Sequence, residues 1–147
     1  MNQSWSSREL FPGSIVENRQ SEPIKAIEPK EHQMNENEIS IEDFEQVEIR
    51  VGRIVQIEPF PEGRYSSHIL QIDFGDELGT RKSLARLIPN YADADLMGRQ
   101  VLCVVNLPPR QIGKHRSEVL TLGVPDAEGN VVLLRPDRDV PLGGKLY

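Results

Sequence analysis

Cysteine occurs once in these 147 residues, at Cys103. A single cysteine excludes an intrachain disulfide framework and a CxxC zinc pair, and it suits a reducing cytoplasm. Its place inside the apolar run 101–105 reads as a small buried hydrophobe. Histidine is as sparse: His32, His68 and His115 are scattered, without metal-ligand spacing. No apolar run approaches the ~18–20 residues of a membrane span, and the N-terminus carries no apolar signal-peptide core. The expectation is a cytoplasmic protein with no membrane segment. The phosphate loop GxxxxGK[ST], the dinucleotide motif GxGxxG and the GxSxG elbow are all missing. A positive balance is missing too: the net charge is −6, which argues against indiscriminate nucleic-acid binding. It leaves room for a local basic patch, because charges are screened beyond about 8 Å at physiological salt. Carboxylates are plentiful, but no spacing pairs two of them, and they read as solvated surface. These absences favour a binding module over an enzyme, with no catalytic residue, metal or cofactor.

Residues 1–38 are rich in Glu, Asn, Gln, Ser and Pro and show no sustained hydrophobic period. Such a stretch buries too little apolar surface to offset its ordering entropy, so it reads as a flexible N-terminal extension. Trp5, Leu10, Phe11, Ile15 and Val16 are its exceptions, able to dock on the domain or on a partner.

Order is expected from Ile39, giving a domain over 39–147. Ser40 with Asp43 three residues on marks the start of a short helix. Residues 47–57 read as a strand, with a bulge or sharp coil at Gly52. Leu70, Ile72 and Phe74 alternate with polar residues as a half-buried strand. Residues 80–87 form a third strand with one wet face, and 92–97 one or two helical turns closed by Gly98. The most informative stretch is 101–123: a buried strand 101–105, a loop stiffened by Pro108 and Pro109, a basic cluster and a second strand at 119–122. Residues 131–134 give a last strand, and Leu146 and Tyr147 a final apolar hook. Five or more short strands, a short helix after the third and Gly/Pro turns suit an all-β fold, a five-stranded barrel of the oligonucleotide-binding (OB) type with short helices. A β-sandwich is the alternative, because strand count separates the two poorly.

Three basic clusters carry the binding argument: Arg50 and Arg53; Arg81, Lys82 and Arg86; and Arg110, Lys114 and Arg116. Arginine's planar fork donates bidentately to phosphate and lysine acts as a point charge. Tyr65 and Tyr91 offer faces on which unpaired bases stack, although tyrosines more often pack. His68, in phase with Leu70, reads as a packed or rim residue.

Three separated motifs then resemble one family: D-F-E-Q-V-E-I-R-V-G-R-I (43–54), N-Y-A-D-A-D-L-M-G-R-Q-V (90–101) and V-V-N-L-P-P-R-Q-I-G (104–113). In that order they are similar to the stand-alone tRNA-binding domain, also found appended to methionyl-tRNA synthetases. The S-E-V-L-T-L-G run at 117–123 resembles its CsaA-like branch. The resemblance covers 39–147 and implies an OB-fold barrel, a homodimer and non-catalytic recognition of folded tRNA. Arg81, Lys82, Arg86, Arg110, Lys114 and Arg116 would contact phosphates, and Asn106 and Ser117 would hydrogen-bond. Ser83 and His115 lie within the same two stretches and complete the candidate RNA-binding set. Where the family usually reads S-Q-G-M, this chain has Ser117, Glu118, Val119 and Leu120. A Glu118 carboxylate facing phosphate would weaken binding. CsaA-like proteins also hold peptides, so an unfolded or extended polypeptide is the alternative partner. The apolar Leu107, Pro108, Pro109 and Ile112 suit a groove for such a segment.

Overall fold

A computed structural model of the chain describes residues 35–147. The chain divides into two units, Met1–Ser40 and Ile41–Tyr147. In the first, the Asn37 N–H donates to Asn35 Oδ1 at 2.9 Å and the Glu38 N–H to the Asn35 carbonyl at 3.1 Å. The extension expected over 1–38, with Trp5, Leu10, Phe11, Ile15 and Val16, lies outside the described residues up to residue 34.

The second unit opens with α1 (Ile41–Glu45), whose first turn carries Glu42 and Asp43, the sign that suits a helix N-terminus. Strand β1 (Ile49–Pro59) follows and serves two neighbours: residues 53–59 pair with β2 (His68–Asp73), and 49–53 with β4 (Gln100–Val104). A strand shared in this way must coil. The sequence placed the irregularity at Gly52, but the register shift falls between Ile54 and Gln56. Gly52 has another task. A Cβ there would lie 2.4 Å from Ile72 Cγ2 and 2.7 Å from the Phe74 ring, so the missing side chain lets the core close over β1.

Strand β3 (Thr80–Ala85) pairs with β2, and α2 (Asp93–Leu96) sits between β3 and β4. The region read as a loop before the fifth strand is folded. It holds the hairpin β5 (Arg110–Ile112) and β6 (His115–Ser117), then β7 (Leu120–Thr121). Three-residue arms are too short to show a period in sequence. Gly113, at φ +61°, supplies the left-handed residue that their tight turn requires. A two-stranded ribbon, β8 (Gly123–Pro125) and β9 (Val131–Leu133), completes the chain.

The main sheet runs β3-β2-β1-β4-β7, all antiparallel. Its open edges meet where the Glu118 N–H donates to the Lys82 carbonyl at 2.7 Å and Ser83 Oγ to the Val119 carbonyl at 3.2 Å. The result is a nearly closed five-stranded barrel of the OB type, not a sandwich. Ile54, Leu70, Ile72, Phe74, Val101 and Cys103 fill it. Leu70 and Ser83 are paired and fully buried, so their neighbours Ile69 and Leu84 face outward. A second small core of Phe60, Ile69 and Leu84, with Ile112 against it, covers that outer face. The C-terminal segment is bound along β1, with Gly143 N–H to the Val51 carbonyl (2.8 Å) and Leu146 N–H to the Ile49 carbonyl (2.8 Å). No helix of the described residues is long and apolar enough to cross a membrane.

Candidate nucleic-acid interface

Barrels of this type bind nucleic acid on the face of the second and third strands and the loops flanking it. Here the β5–β6 hairpin lies over part of that face. Its cross-strand pairs are Arg110 with Ser117, Gln111 with Arg116 and Ile112 with His115. Alternation sends 110, 112, 115 and 117 to one face and 111 and 116 to the other. Ile112 reaches the Phe60 core, and the His115 ring meets Phe60 edge-on at 5.4 Å between centroids. Arg116 and Gln111 face outward and are exposed, and Lys114 occupies the tip. The basic run is contiguous in sequence but divided between two faces and a turn.

Beside the hairpin a groove of about 640 Å³ opens. Leu84, Leu87, Val119 and Leu133 form its floor, and Leu107, Pro108, Ile112, Leu120 and Val124 its apolar walls. Three arginines line it: Arg64 from the loop after β1, Arg86 just past β3, and Arg110 from β5. Tyr65 stands at the same rim, 75% exposed, with the Arg64 guanidinium 5.8 Å from its ring centroid. The loop bearing them is closed at its base by Phe60 N–H to the Ser67 carbonyl at 2.9 Å.

The expected site residues separate into two groups. Arg86, Arg110, Lys114 and Arg116 are exposed and have no ionic partner among the described residues. Lys82 is half-buried, and Arg81 donates from Nε to the Leu78 carbonyl at 3.1 Å. The uncharged members are occupied by the protein itself. Ser83 is fully buried and meets Thr121 Oγ1 at 2.7 Å. Ser117 Oγ accepts from the Leu84 N–H at 3.1 Å. Asn106 Oδ1 accepts from the Glu48 N–H at 2.9 Å while its Nδ2 donates to the Gln46 carbonyl at 2.7 Å. His115 is half-buried against Phe60. Glu118 uses one carboxylate oxygen to accept the Lys82 N–H at 2.7 Å, at the barrel seam.

The first basic cluster is neutralised internally. Arg50 pairs with Glu48 at 2.9 Å and Arg53 with Asp139 at 3.2 Å. Tyr91 is structural, its hydroxyl accepting the Leu133 N–H at 2.9 Å. His68 is buried between Ser67 Oγ (2.8 Å) and Asp93 Oδ1 (3.2 Å). Ser67 Oγ also accepts the Leu87 N–H at 2.7 Å, so this string organises backbone. Burial pushes the Cys103 thiol up to about 12, against a weaker opposing bond to Thr121. Among the described residues no three His, Cys, Asp or Glu side chains gather as a metal site. What sequence reading missed as a site is Arg64 and the apolar walls Leu120 and Val124. Arg64 and Tyr65 follow a Pro-Glu-Gly turn in the first interstrand loop, which was the available signal.

Comparison with known proteins bears on this geometry. Residues 49–145 match the family described as "Putative tRNA binding domain". The chain is 33% identical over 132 residues to the methionine–tRNA ligase of Pyrococcus horikoshii, covering 90% of this chain and 18% of the ligase. It spans about a sixth of the length of such ligases (16% for that of Porphyromonas gingivalis). Among solved structures, the CsaA chaperone protein from Picrophilus torridus superposes with a TM-score of 0.69 at 40% identity, over 75% of this chain and 100% of that one. The CsaA chaperone of Bacillus anthracis gives 0.68 and 40%, over 75% and 99%. The matched family is a binding domain, not the catalytic part of a ligase.

Proposed function

This chain belongs to the tRNA-binding domain family, in its CsaA-like branch, and from that premise we propose that it is a homodimeric, non-catalytic, cytoplasmic protein that recognises folded tRNA by shape and phosphate contacts. One observation carries the reading. Arg86, Arg110, Lys114 and Arg116 are exposed and lack ionic partners among the described residues, whereas Arg50 and Arg53 are paired within the fold. Unpaired cations on strand ends and a short hairpin keep their full charge for an external anion. A-form RNA is met mostly through phosphates and 2′-hydroxyls rather than base edges.

Filter binding with tRNA across a salt series tests this. Affinity is expected to fall linearly in log–log form with salt, because each neutralised phosphate releases counterions. Lys114→Ala and Arg116→Ala should each weaken binding and reduce that slope by about one. An unaltered chain with no tRNA affinity at low salt would overturn the reading. The second reading, a CsaA-like module that holds an extended polypeptide, is favoured by one specific feature. Leu107, Leu120 and Val124 are about half exposed along the groove. Its mark is an apolar peptide, rather than RNA, in that groove.

A further inference from the structure

We propose that Ser67, His68 and Asp93 form a positioning string behind Arg86, and that the charge on His68 sets how firmly the string holds this arginine for RNA. The inference rests on the tRNA-binding reading and adds a proton dependence to it.

Arg86 lies just past β3, where the ladder has ended: the last β2–β3 pair is His68 with Ala85. Its two neighbours are held by Ser67 instead. The Ser67 N–H donates to the Ala85 carbonyl at 2.9 Å, and Ser67 Oγ accepts the Leu87 N–H at 2.7 Å. One residue therefore fixes the backbone on both sides of Arg86, whose own side chain is exposed and without an ionic partner among the described residues. A long, rotamer-rich side chain loses freedom when it meets a phosphate, and a backbone fixed beforehand reduces that loss.

The Ser67 hydroxyl is in turn oriented by His68. Its Oγ lies 2.8 Å from His68 Nδ1, and His68 Nε2 lies 3.2 Å from Asp93 Oδ1. An ionised carboxylate only accepts, so Nε2 carries a proton. In the neutral ring Nδ1 then accepts, and the Ser67 hydroxyl proton is committed to it. Protonation turns Nδ1 into a donor. The Ser67 hydroxyl then turns to the Ala85 carbonyl, 3.4 Å away, while its lone pairs take the Nδ1–H and the Leu87 N–H. The side-chain oxygen now ties both flanks of Arg86, and the imidazolium is paired with Asp93. Every proton in the string has an acceptor in both states, so the change needs a hydroxyl rotation and no repacking.

His68 is 6% exposed and the Asp93 side chain 64%, so the string runs from solvent to the backbone under Arg86. Asp93 is the ring's one ionic partner among the described residues. On β1 the register partner is the uncharged Pro59, and Glu58 pairs with Ile69, whose side chain takes the other face of β2. On α2, Asp95 Oδ2 is engaged by the Ala92 N–H at 3.1 Å. Beyond β3 the charged neighbour is Arg86 itself, which lines the groove. Histidine's ordinary charge change falls between about pH 5 and 8, where the phosphodiesters of RNA stay ionised.

The test is tRNA binding by the full chain from about pH 8 to about pH 5.5, compared with the same series for His68→Gln. The comparison cancels whatever His32 and His115 contribute. Affinity is expected to rise as the pH falls, and the part of the rise that His68→Gln loses should be about fivefold. Ser67→Ala should lower the salt slope by about one, as Arg86→Ala does, and the two changes together should lower it no further. Ser67→Thr, which keeps the hydroxyl, should restore it. Thermal melting checks that each variant folds, and if Ser67→Ala does not, the His68→Gln and Arg86→Ala series decide alone. If His68→Gln shows the same pH response as the unaltered chain, this inference fails and the tRNA reading stands. It also fails if the response owed to His68 persists in Arg86→Ala, since the imidazolium would then act on RNA directly. If no RNA binds at low salt at any pH, the tRNA reading fails as well.

Discussion

Glu118 carries a charge whose significance depends on where its oxygens point. Beside phosphate it would oppose RNA. In the structure one oxygen accepts the Lys82 N–H, and the Glu118 N–H is bound to the Lys82 carbonyl, so the residue helps to close the barrel. Ser117 and Ser83 act at the same seam, where their hydroxyls satisfy backbone groups that no strand pairing reaches. Cys103 shows the complementary effect of depth. Burial holds its thiol near 12, against an ordinary 9.0, so the thiolate is negligible at neutral pH. Native protein should resist alkylation by iodoacetamide at pH 8 and react only as fast as it unfolds, as mass spectrometry over a denaturant series can follow. Because the folded value is raised, this contribution to stability is complete below pH 9 and is lost as pH rises toward 12. Fast labelling of the native protein would contradict the buried assignment.

At the scale of elements, the β5–β6 hairpin decides more than any single residue. It covers Ile69 and Leu84, gives Arg110 to the groove and sends Arg116 to the opposite face. The joint at its base is held by Asn106, which clamps the α1–β1 connection through the Glu48 N–H and the Gln46 carbonyl. Asn106→Ala removes both hydrogen bonds. It should lower stability by about 1–2 kcal/mol, read as a shift of the urea midpoint, and leave the tRNA salt slope unchanged. A loss of RNA affinity in a variant of unaltered stability would instead make Asn106 a ligand contact.

For the whole molecule, the sign of the net charge misleads because charge is sorted in space. The groove is lined by Arg64, Arg86 and Arg110 and a single carboxylate, Glu118, so the excess of acidic residues lies elsewhere and a negative total and a cationic groove coexist. The C-terminal segment is sorted as well. Leu146 N–H binds the Ile49 carbonyl, and Lys145 Nζ reaches the Glu45 carbonyl at 3.4 Å. Leu146 and Tyr147 thereby come to the same end of the barrel as Ile41 and Val47, all four exposed. Leu142, earlier in the same segment, is half-buried. A two-fold contact would cover this apolar end, since like patches are self-complementary about such an axis. Sedimentation velocity at micromolar concentration should show a dimer, and Leu146→Asp should yield a folded monomer. A monomer in the unaltered chain would refute the dimer.

The sequence by itself determined the strands: alternation at 70–74, apolar runs at 101–105 and 131–134, and Gly/Pro punctuation are local signals that need no distant partner to be read, whereas closure into a barrel rather than a sandwich was decided at the seam between Lys82, Ser83 and residues 118–119. It also identified Cys103 as core and placed Arg86, Arg110, Lys114 and Arg116 among the clustered cations, without telling them from Arg50 and Arg53, which the fold pairs internally. Only the tertiary structure decided which of these share a surface. Strand parity and a three-residue hairpin split the basic run, and loops far apart in sequence brought Arg64, Arg86 and Arg110 to one groove. The roles of Ser83, Asn106, Ser117 and Glu118 were illegible for the same physical reason. Each has a hydrogen-bond partner 33 to 60 residues away, and a polar side chain's orientation is set by the unsatisfied backbone group that folding places beside it.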